Sequence, residues 1–275
     1  MATSSTNVYG AYVPSRAAAI IVAIIFVILT ALQLWRIVAS RRWFGLAIVT
    51  GCLFEIVGLA ARAYSHNHLA QTKPYIIQIL LILLAPILFT ASIYMFLGRL
   101  IKASGHQGLS FIRINWLTKI FVLGDIFCFL VQAAGAGSLV NADTSTSIDS
   151  AQNIILGGLA LQVLFFCVFA LCAIVFHVRT RAPHIRRSID PRLHLNAMLF
   201  TLYFCSILVT VRNIYRLIEY KSGTTGYLQE HEWPTYGLDV ALMAIIAAVT
   251  ISWYSVNMEG FYRDAIPLTS RDGHP

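Results

Sequence analysis

Apolar residues gather along this chain in seven long runs, roughly 17–39, 43–64, 75–101, 117–140, 152–178, 193–219 and 237–258. Each suits the length of about 20 residues that an α-helix needs to cross the hydrocarbon core of a bilayer. The connections are short, the longest being the polar segment from about 220 to 236. The pattern predicts an all-α, polytopic membrane protein with seven transmembrane helices over 17–258, flanked by tails at 1–16 and 259–275. No internal repeat is visible, so an inverted-repeat transporter architecture has no support. A cleavable signal peptide is not expected. The opening segment has only a late Arg16, and the apolar run after it is too long for a signal sequence.

Composition agrees with this pattern. Hydrophobic residues make up 58% of the 275 positions, charged residues only 12%, and mean hydropathy is +0.72. Soluble domains carry about 25% charged residues, and no polar stretch here is large enough to form one. A net charge of +8 raises the question of a nucleic-acid partner, and its distribution answers in the negative. Arg36, Arg41 and Arg42 belong to one set of loops and tails, as do Arg99, Lys102, Arg113 and Lys119. So do Arg179, Arg181, Arg186, Arg187 and Arg192, and finally Arg263 and Arg271. The opposite side holds only Arg16, Lys73 and Lys221, and leans acidic with Asp143, Asp149, Glu230 and Glu232. Fourteen cations against three place the N-terminus outside and the C-terminus in the cytoplasm. Trp35, Trp43, Trp116 and Trp233 fall near span ends, as interfacial belt residues do. The five cysteines lie inside apolar runs without metal-site spacing and read as small buried hydrophobes. No cofactor or metal is expected.

The polar residues within the spans change the picture most. Glu55 and Arg62 lie in the second run, Asp125 in the fourth, Arg212, Arg216 and Glu219 in the sixth, and Asp239 opens the seventh. Gln78, Gln132 and Gln162 add uncharged amides in runs three, four and five. An ionisable group inside a bilayer is costly unless paired or hydrated, which makes each one a functional candidate. At about 100° per residue, positions 212, 216 and 219 share one helix face, as do 55 with 62 and 125 with 132. Polar stripes on three helices point to a common interior. Arg212 and Arg216 repel each other one turn apart, and Glu219 alone cannot neutralise both. A partner from another helix is therefore required, with Glu55 and Asp239 the candidates. Two readings fit: an interhelical staple that locks the bundle, or a hydrated cavity whose arginines meet an anionic or zwitterionic head group. Pro86, inside the third run, is expected to free a backbone carbonyl.

Several of these residues fall in longer motifs. YVPS spans Tyr12–Ser15, EIVGLAAR runs from Glu55 to Arg62, and QILLILLAPILFTASIYMFLGR contains Gln78, Pro86, Tyr94 and Arg99. DIFCFLVQAAGAG contains Asp125, Gln132 and Gly137, GGLALQ contains Gly158 and Gln162, RNIYRLIEY contains Arg212, Arg216 and Glu219, and EWPTYGLD contains Glu232, Tyr236 and Asp239. In this order and spacing the chain resembles the fungal RTA-like lipid-translocating exporter family, over nearly its whole length. The resemblance implies seven spans and lipid movement or resistance to toxic lipids, with sphingoid long-chain bases, aminosterols and porphyrins among the family's associated substrates. One departure stands out. Met258-Glu259-Gly260 occupies the place where a His-Pro-Gly turn is expected, which puts any role of that turn in doubt.

Three function classes remain to be weighed. The leading expectation is a lipid transporter or exporter whose partners are membrane lipids and an amphiphilic small molecule. For a sphingoid base, Glu55, Asp125, Glu219 or Asp239 would take the ammonium, the glutamines the hydroxyls, and a gap between helices the tail. No nucleotide-binding motif occurs, so directional export would draw on a proton, potential or lipid gradient, with Asp125 or Glu55 the candidate proton carriers. The alternative is a seven-span lipid-sensing receptor without transport, whose basic segment 177–192 contacts a partner or anionic lipid. No Asp-Arg-Tyr-like triplet ends run three, and run seven has no lysine for a retinal Schiff base. An enzyme is not expected, because the histidines lie in loops or at span ends and assemble no triad. The spans suit plasma membrane, vacuole and endoplasmic reticulum alike, with the plasma membrane as the first expectation.

Overall fold

The computed structural model describes residues 15–66, 72–140, 144–222 and 231–255. These form an all-helical bundle with no strand among the described residues. The long helices are α1 (Arg16–Ser40), α2 (Leu46–Ser65), α3 (Thr72–Ala103), α4 (Ile114–Val140), α5 (Ser145–Thr180) and α6 (Leu195–Lys221). The seventh span opens with a π-helical turn, Thr235–Val240, continues as α7 (Ala241–Thr250) and closes in a 3-10 turn, Ile251–Tyr254. All seven are long and apolar enough to cross a membrane, and the chain is an integral, multi-pass membrane protein. Most of the N-terminal tail, the whole of 259–275, and Met258-Glu259-Gly260 lie outside the described residues.

Helix ends follow local chemistry. Ser15 caps α1, its hydroxyl accepting from the Ala18 N–H, which satisfies one of the orphan donors of a first turn. Arg41 ends the same helix in the left-handed conformation at φ 54°, donating its N–H to Ile37 and Val38 carbonyls. The fifth span begins earlier than the apolar run suggests. Thr144 caps it through the Ser147 N–H, so the polar turn Ser145–Ser150 becomes helix ahead of the lipid-compatible part.

The bundle has an apolar core, with Phe89, Tyr94, Phe121, Phe169 and Trp253 among its buried residues, and an apolar outer surface as well. Large apolar side chains such as Ile21, Val38, Phe200 and Ile207 point outward, whereas Glu55, Arg212, Asp125, Gln132 and Asp239 are buried. Trp35, Trp43, Trp116 and Trp233 are all exposed, in keeping with interfacial belts. Four of the cysteines are buried, but Cys167 faces outward on α5, because lipid accepts a small apolar thiol as readily as a core does. The helices close a ring in which α1 meets α2 and α7, and each later helix meets the next in sequence. Helix α3 is the hub, contacting α2, α4, α5, α6 and α7.

Lipid tails give little hydrophobic drive for helices to associate, so close backbone approach carries the packing. Two glycine seams do this. On α2, a Cβ at Gly51 would lie 2.9 Å from the Phe89 ring, and one at Gly58 would lie 2.8 Å from Ile82 Cγ1, both on α3. On α5, a Cβ at Gly158 would lie 2.7 Å from Gln132 Cγ and 3.1 Å from the Cys128 carbonyl of α4.

Candidate functional site

The spacing of four and three places Arg212, Arg216 and Glu219 on one face of α6, and α7 supplies what they lack. Asp239 lies in the π-helical turn, where the Ala241 N–H donates to the carbonyl of Tyr236, five residues back. Such wide turns are uncommon and frequently mark functional sites. The Asp239 carboxylate bridges both cations: Oδ1 is 2.5 Å from Arg212 Nε, and Oδ2 accepts from Arg216 Nη2. Arg216 Nη1 donates to Glu219 Oε2 at 3.0 Å. The repulsion expected between the two arginines is thus resolved by one interhelical carboxylate. Arg212 and Asp239 are only 2% and 1% exposed, so removing either partner would leave an uncompensated buried charge, at a cost of about 3–5 kcal/mol.

Arg212 has a second contact, on α3. Its Nη2 donates to the carbonyl of Ile82 at 3.5 Å. In an uninterrupted helix that carbonyl would accept from the N–H of residue 86, and Pro86 has none. The carbonyl freed by proline is the one the guanidinium reaches.

Glu55, the other partner considered for the arginines, behaves differently. Its electrostatic neighbours are Asp239, Arg212 and Arg216, and it is 1% exposed. Yet neither carboxylate oxygen has a hydrogen-bond partner among the described residues. On α2 it shares a face with Gly51 and Gly58, at spacings of four and three, and those glycines press on Phe89 and Ile82 of α3. Of the two candidate partners, Asp239 takes the arginines, and Glu55 forms no ion pair with either among the described residues.

The remaining polar residues do not converge on one interior as expected; they sort into separate clusters. Arg62 donates to Glu232 at 2.9 Å and lies over the Tyr236 ring, 5.4 Å from its centroid. Both oxygens of Glu232 also accept from the Ser15 N–H at 2.9 Å. That carboxylate joins the end of α2, the approach to the seventh span and the start of α1. The charge count placed Glu232 among acidic loop residues; only its position in the EWPTYGLD motif marked it otherwise. Asp125 Oδ2 accepts from Thr90 and from Tyr94 of α3, each at 2.9 Å. Gln132 Nε2 donates to Gln162 Oε1 at 2.9 Å, joining α4 to α5. Gln78 is buried on α3, its backbone carbonyl oxygen 3.6 Å from the point a Cβ on Gly58 would occupy. The physical reason for the separation is the ring order. The main neighbours of α4 are α3 and α5, so its stripe of Asp125 and Gln132 is spent on them rather than on the arginines.

Residues 48–259 match the family model described as RTA1 like protein. The chain belongs to the RTA1-like family. Protein RTM1 of Saccharomyces cerevisiae is 37% identical to it over 203 residues, covering 73% of this chain and 64% of RTM1. The protoporphyrin uptake protein 1 of the same yeast is 35% identical over 224 residues, 80% of this chain and 72% of that protein. The sphingoid long-chain base transporter RSB1 of strain YJM789 is 27% identical over 307 aligned positions, spanning 100% of this chain and 80% of RSB1. This chain thus spans less than two thirds of RTM1's length but most of RSB1's. No solved structure shows a significant match. In the RTA1-like chain described here, the matched region includes Glu55, Arg62, Asp125, Arg212 and Asp239 together with nearly all of α2 and the whole of α3 to α7.

Proposed function

We propose that this protein moves cationic amphiphiles of the sphingoid long-chain base type across a membrane, and that the cluster of Glu55, Arg212, Arg216, Glu219 and Asp239 engages their head group. The observation that carries this reading is the charge balance of the cluster. Both arginines are neutralised by Asp239 and Glu219, and the group left over is a carboxyl, Glu55. A site with a surplus carboxyl selects an ammonium rather than a carboxylate or phosphate. The likeness to RSB1 over the whole chain supports the same choice, whereas the dianionic ligand class suggested by the protoporphyrin uptake protein fits a surplus cation instead. Gln78, a buried amide on α3, is the hydroxyl-binding candidate nearest this cluster in the packing of α2 on α3. In this reading Asp125, Gln132 and Gln162 hold helices, and Arg62 anchors the head-group end through Glu232.

The chain itself catalyses no covalent step in this proposal. Its orientation follows the charge asymmetry: residues 1–16 outside, the basic loops and 259–275 in the cytoplasm, and the plasma membrane as the site of action. The test is reconstitution into vesicles with labelled sphinganine, phospholipid and sterol, comparing the native chain with Arg212→Ala and Glu219→Gln. Sphinganine flux in the native protein, lost in both folded variants, supports the reading. Ligand binding without flux would assign the chain to lipid sensing, and unfolding of both variants would assign the cluster to stapling.

A further inference from the structure

Five ionisable side chains of α2, α6 and the π-helical turn before α7 interact electrostatically, and with every carboxyl ionised their charges do not sum to zero. Arg212 and Arg216 balance Asp239 and Glu219. Glu55 is the fifth. It is buried, its two oxygens have no hydrogen-bond partner among the described residues, and the nearby guanidinium groups form their ion pairs with Asp239 and Glu219 instead. From α6 it faces Arg212 and Arg216, and from the π-helical turn Asp239. On its own helix Cys52 lies one turn earlier, and Thr30 of α1 reaches that cysteine. The stretch of α3 pressed against this face, Ile82–Phe89, has no ionisable side chain.

Asp125 shows what a tolerated buried carboxylate looks like here. It also lacks a cation, but two hydroxyl groups donate to it. Glu55 has no donor on either oxygen among the described residues, and the two cations it faces are paired with other carboxylates. A carboxylate so placed is stable only when a cation is bound to it; otherwise it takes up a proton and becomes neutral.

Resting on the transport reading above, we propose that Glu55 is a proton-for-ammonium exchange site. In the resting protein its carboxyl carries a proton, and the ammonium of an amphiphilic amine replaces that proton. The step balances: the Glu55 carboxylic acid and an alkylammonium become a carboxylate–ammonium pair, and one proton leaves to water. No bond of the amphiphile is made or broken. The five-residue cluster has the same net charge, zero, before exchange and with amine bound. Proton and amine therefore compete for one carboxyl, so a proton gradient drives the amine in the opposite direction.

The full-length chain in phospholipid vesicles tests this by infrared difference spectroscopy and proton release, with sphinganine as the probe and ceramide as its uncharged counterpart. The expected result is a protonated-carboxyl band that disappears on adding sphinganine but not ceramide, with equimolar proton release. Apparent sphinganine affinity falls about tenfold per unit decrease in pH while Glu55 is protonated. In Glu55→Gln the band is absent and the pH dependence is flat; Glu55→Asp retains a shifted band and guards against a misfolded glutamine variant. A band that is insensitive to sphinganine, or one that persists in Glu55→Gln, overturns the proposal. Flux is read in the same vesicles. Sphinganine flux without proton release overturns exchange and leaves transport standing, whereas proton release on binding without flux supports exchange and overturns transport.

Discussion

The guanidinium of Arg212 donates to the carbonyl of Ile82, the acceptor that Pro86 leaves without its helical donor. A charged group on α6 thereby completes the backbone of α3, the hub of the bundle. Pro86→Ala restores an N–H for that carbonyl, so the two positions should be coupled. We expect Arg212→Lys to cost about 1 kcal/mol more in the native background than in the Pro86→Ala background. Unfolding in mixed detergent micelles, run as a double-mutant cycle, measures the difference; additive costs would remove this contact from the account.

Asp239 serves two arginines, and its loss should be felt by both. Asp239→Asn is expected to destabilise by about 3–5 kcal/mol, because it removes the carboxylate that bridges the two arginines and leaves Arg212 buried without its ion pair. Adding Arg212→Gln removes the stranded cation and should recover much of that loss, while Arg216 keeps Glu219. Denaturation midpoints of the three variants decide this. A double variant no more stable than Asp239→Asn would show that the pair is not the dominant interaction.

The glycines of α5 make a local contrast. A Cβ at Gly158 would meet Gln132 Cγ at 2.7 Å and the Cys128 carbonyl at 3.1 Å, whereas one at Gly157 meets nothing within 4 Å. Gly158→Ala should cost about 1–3 kcal/mol by forcing α4 and α5 apart. Gly157→Ala should be neutral or slightly stabilising, since alanine favours the helix. Thermal stability of the two purified variants in the same detergent compares them directly.

Asp125 is read as a helix tie, not as part of the head-group cluster. Tyr94→Phe and Thr90→Val each remove one hydroxyl donor and should lower stability by about 1–3 kcal/mol. Flux per folded molecule should stay unchanged in both. A fall in flux at unchanged stability would bring Asp125 into the transport path.

Topology can be checked with impermeant thiol reagents on intact cells. Cysteine introduced by Thr144→Cys, at the start of α5, should be labelled from outside. Cysteine introduced by Ser110→Cys, between α3 and α4, should be labelled only after permeabilisation. The reverse pattern would invert the assignment of the basic loops.

What the sequence determined by itself was what depends on neighbours along the chain. A bilayer imposes a length on apolar runs, so seven helices were legible, with the largest change at the start of α5, where a threonine cap adds polar turns. Helical spacing put Arg212, Arg216 and Glu219 on one face, and the shortage of carboxylates there required a partner from elsewhere. Proline chemistry told in advance that a carbonyl of α3 would be freed. Only the tertiary structure decided which groups answer these needs. Asp239 rather than Glu55 takes the arginines, in a π-helical turn that no periodicity announced. Glu232, one acid among several near a polar connection, became the partner of Arg62 and the Ser15 N–H. The stripe of Asp125 and Gln132 turned to α3 and α5, because ring order sets each helix's neighbours and sequence spacing sets only its faces. The charge that no neighbour claimed, Glu55, emerged only after every other pair had been assigned in space.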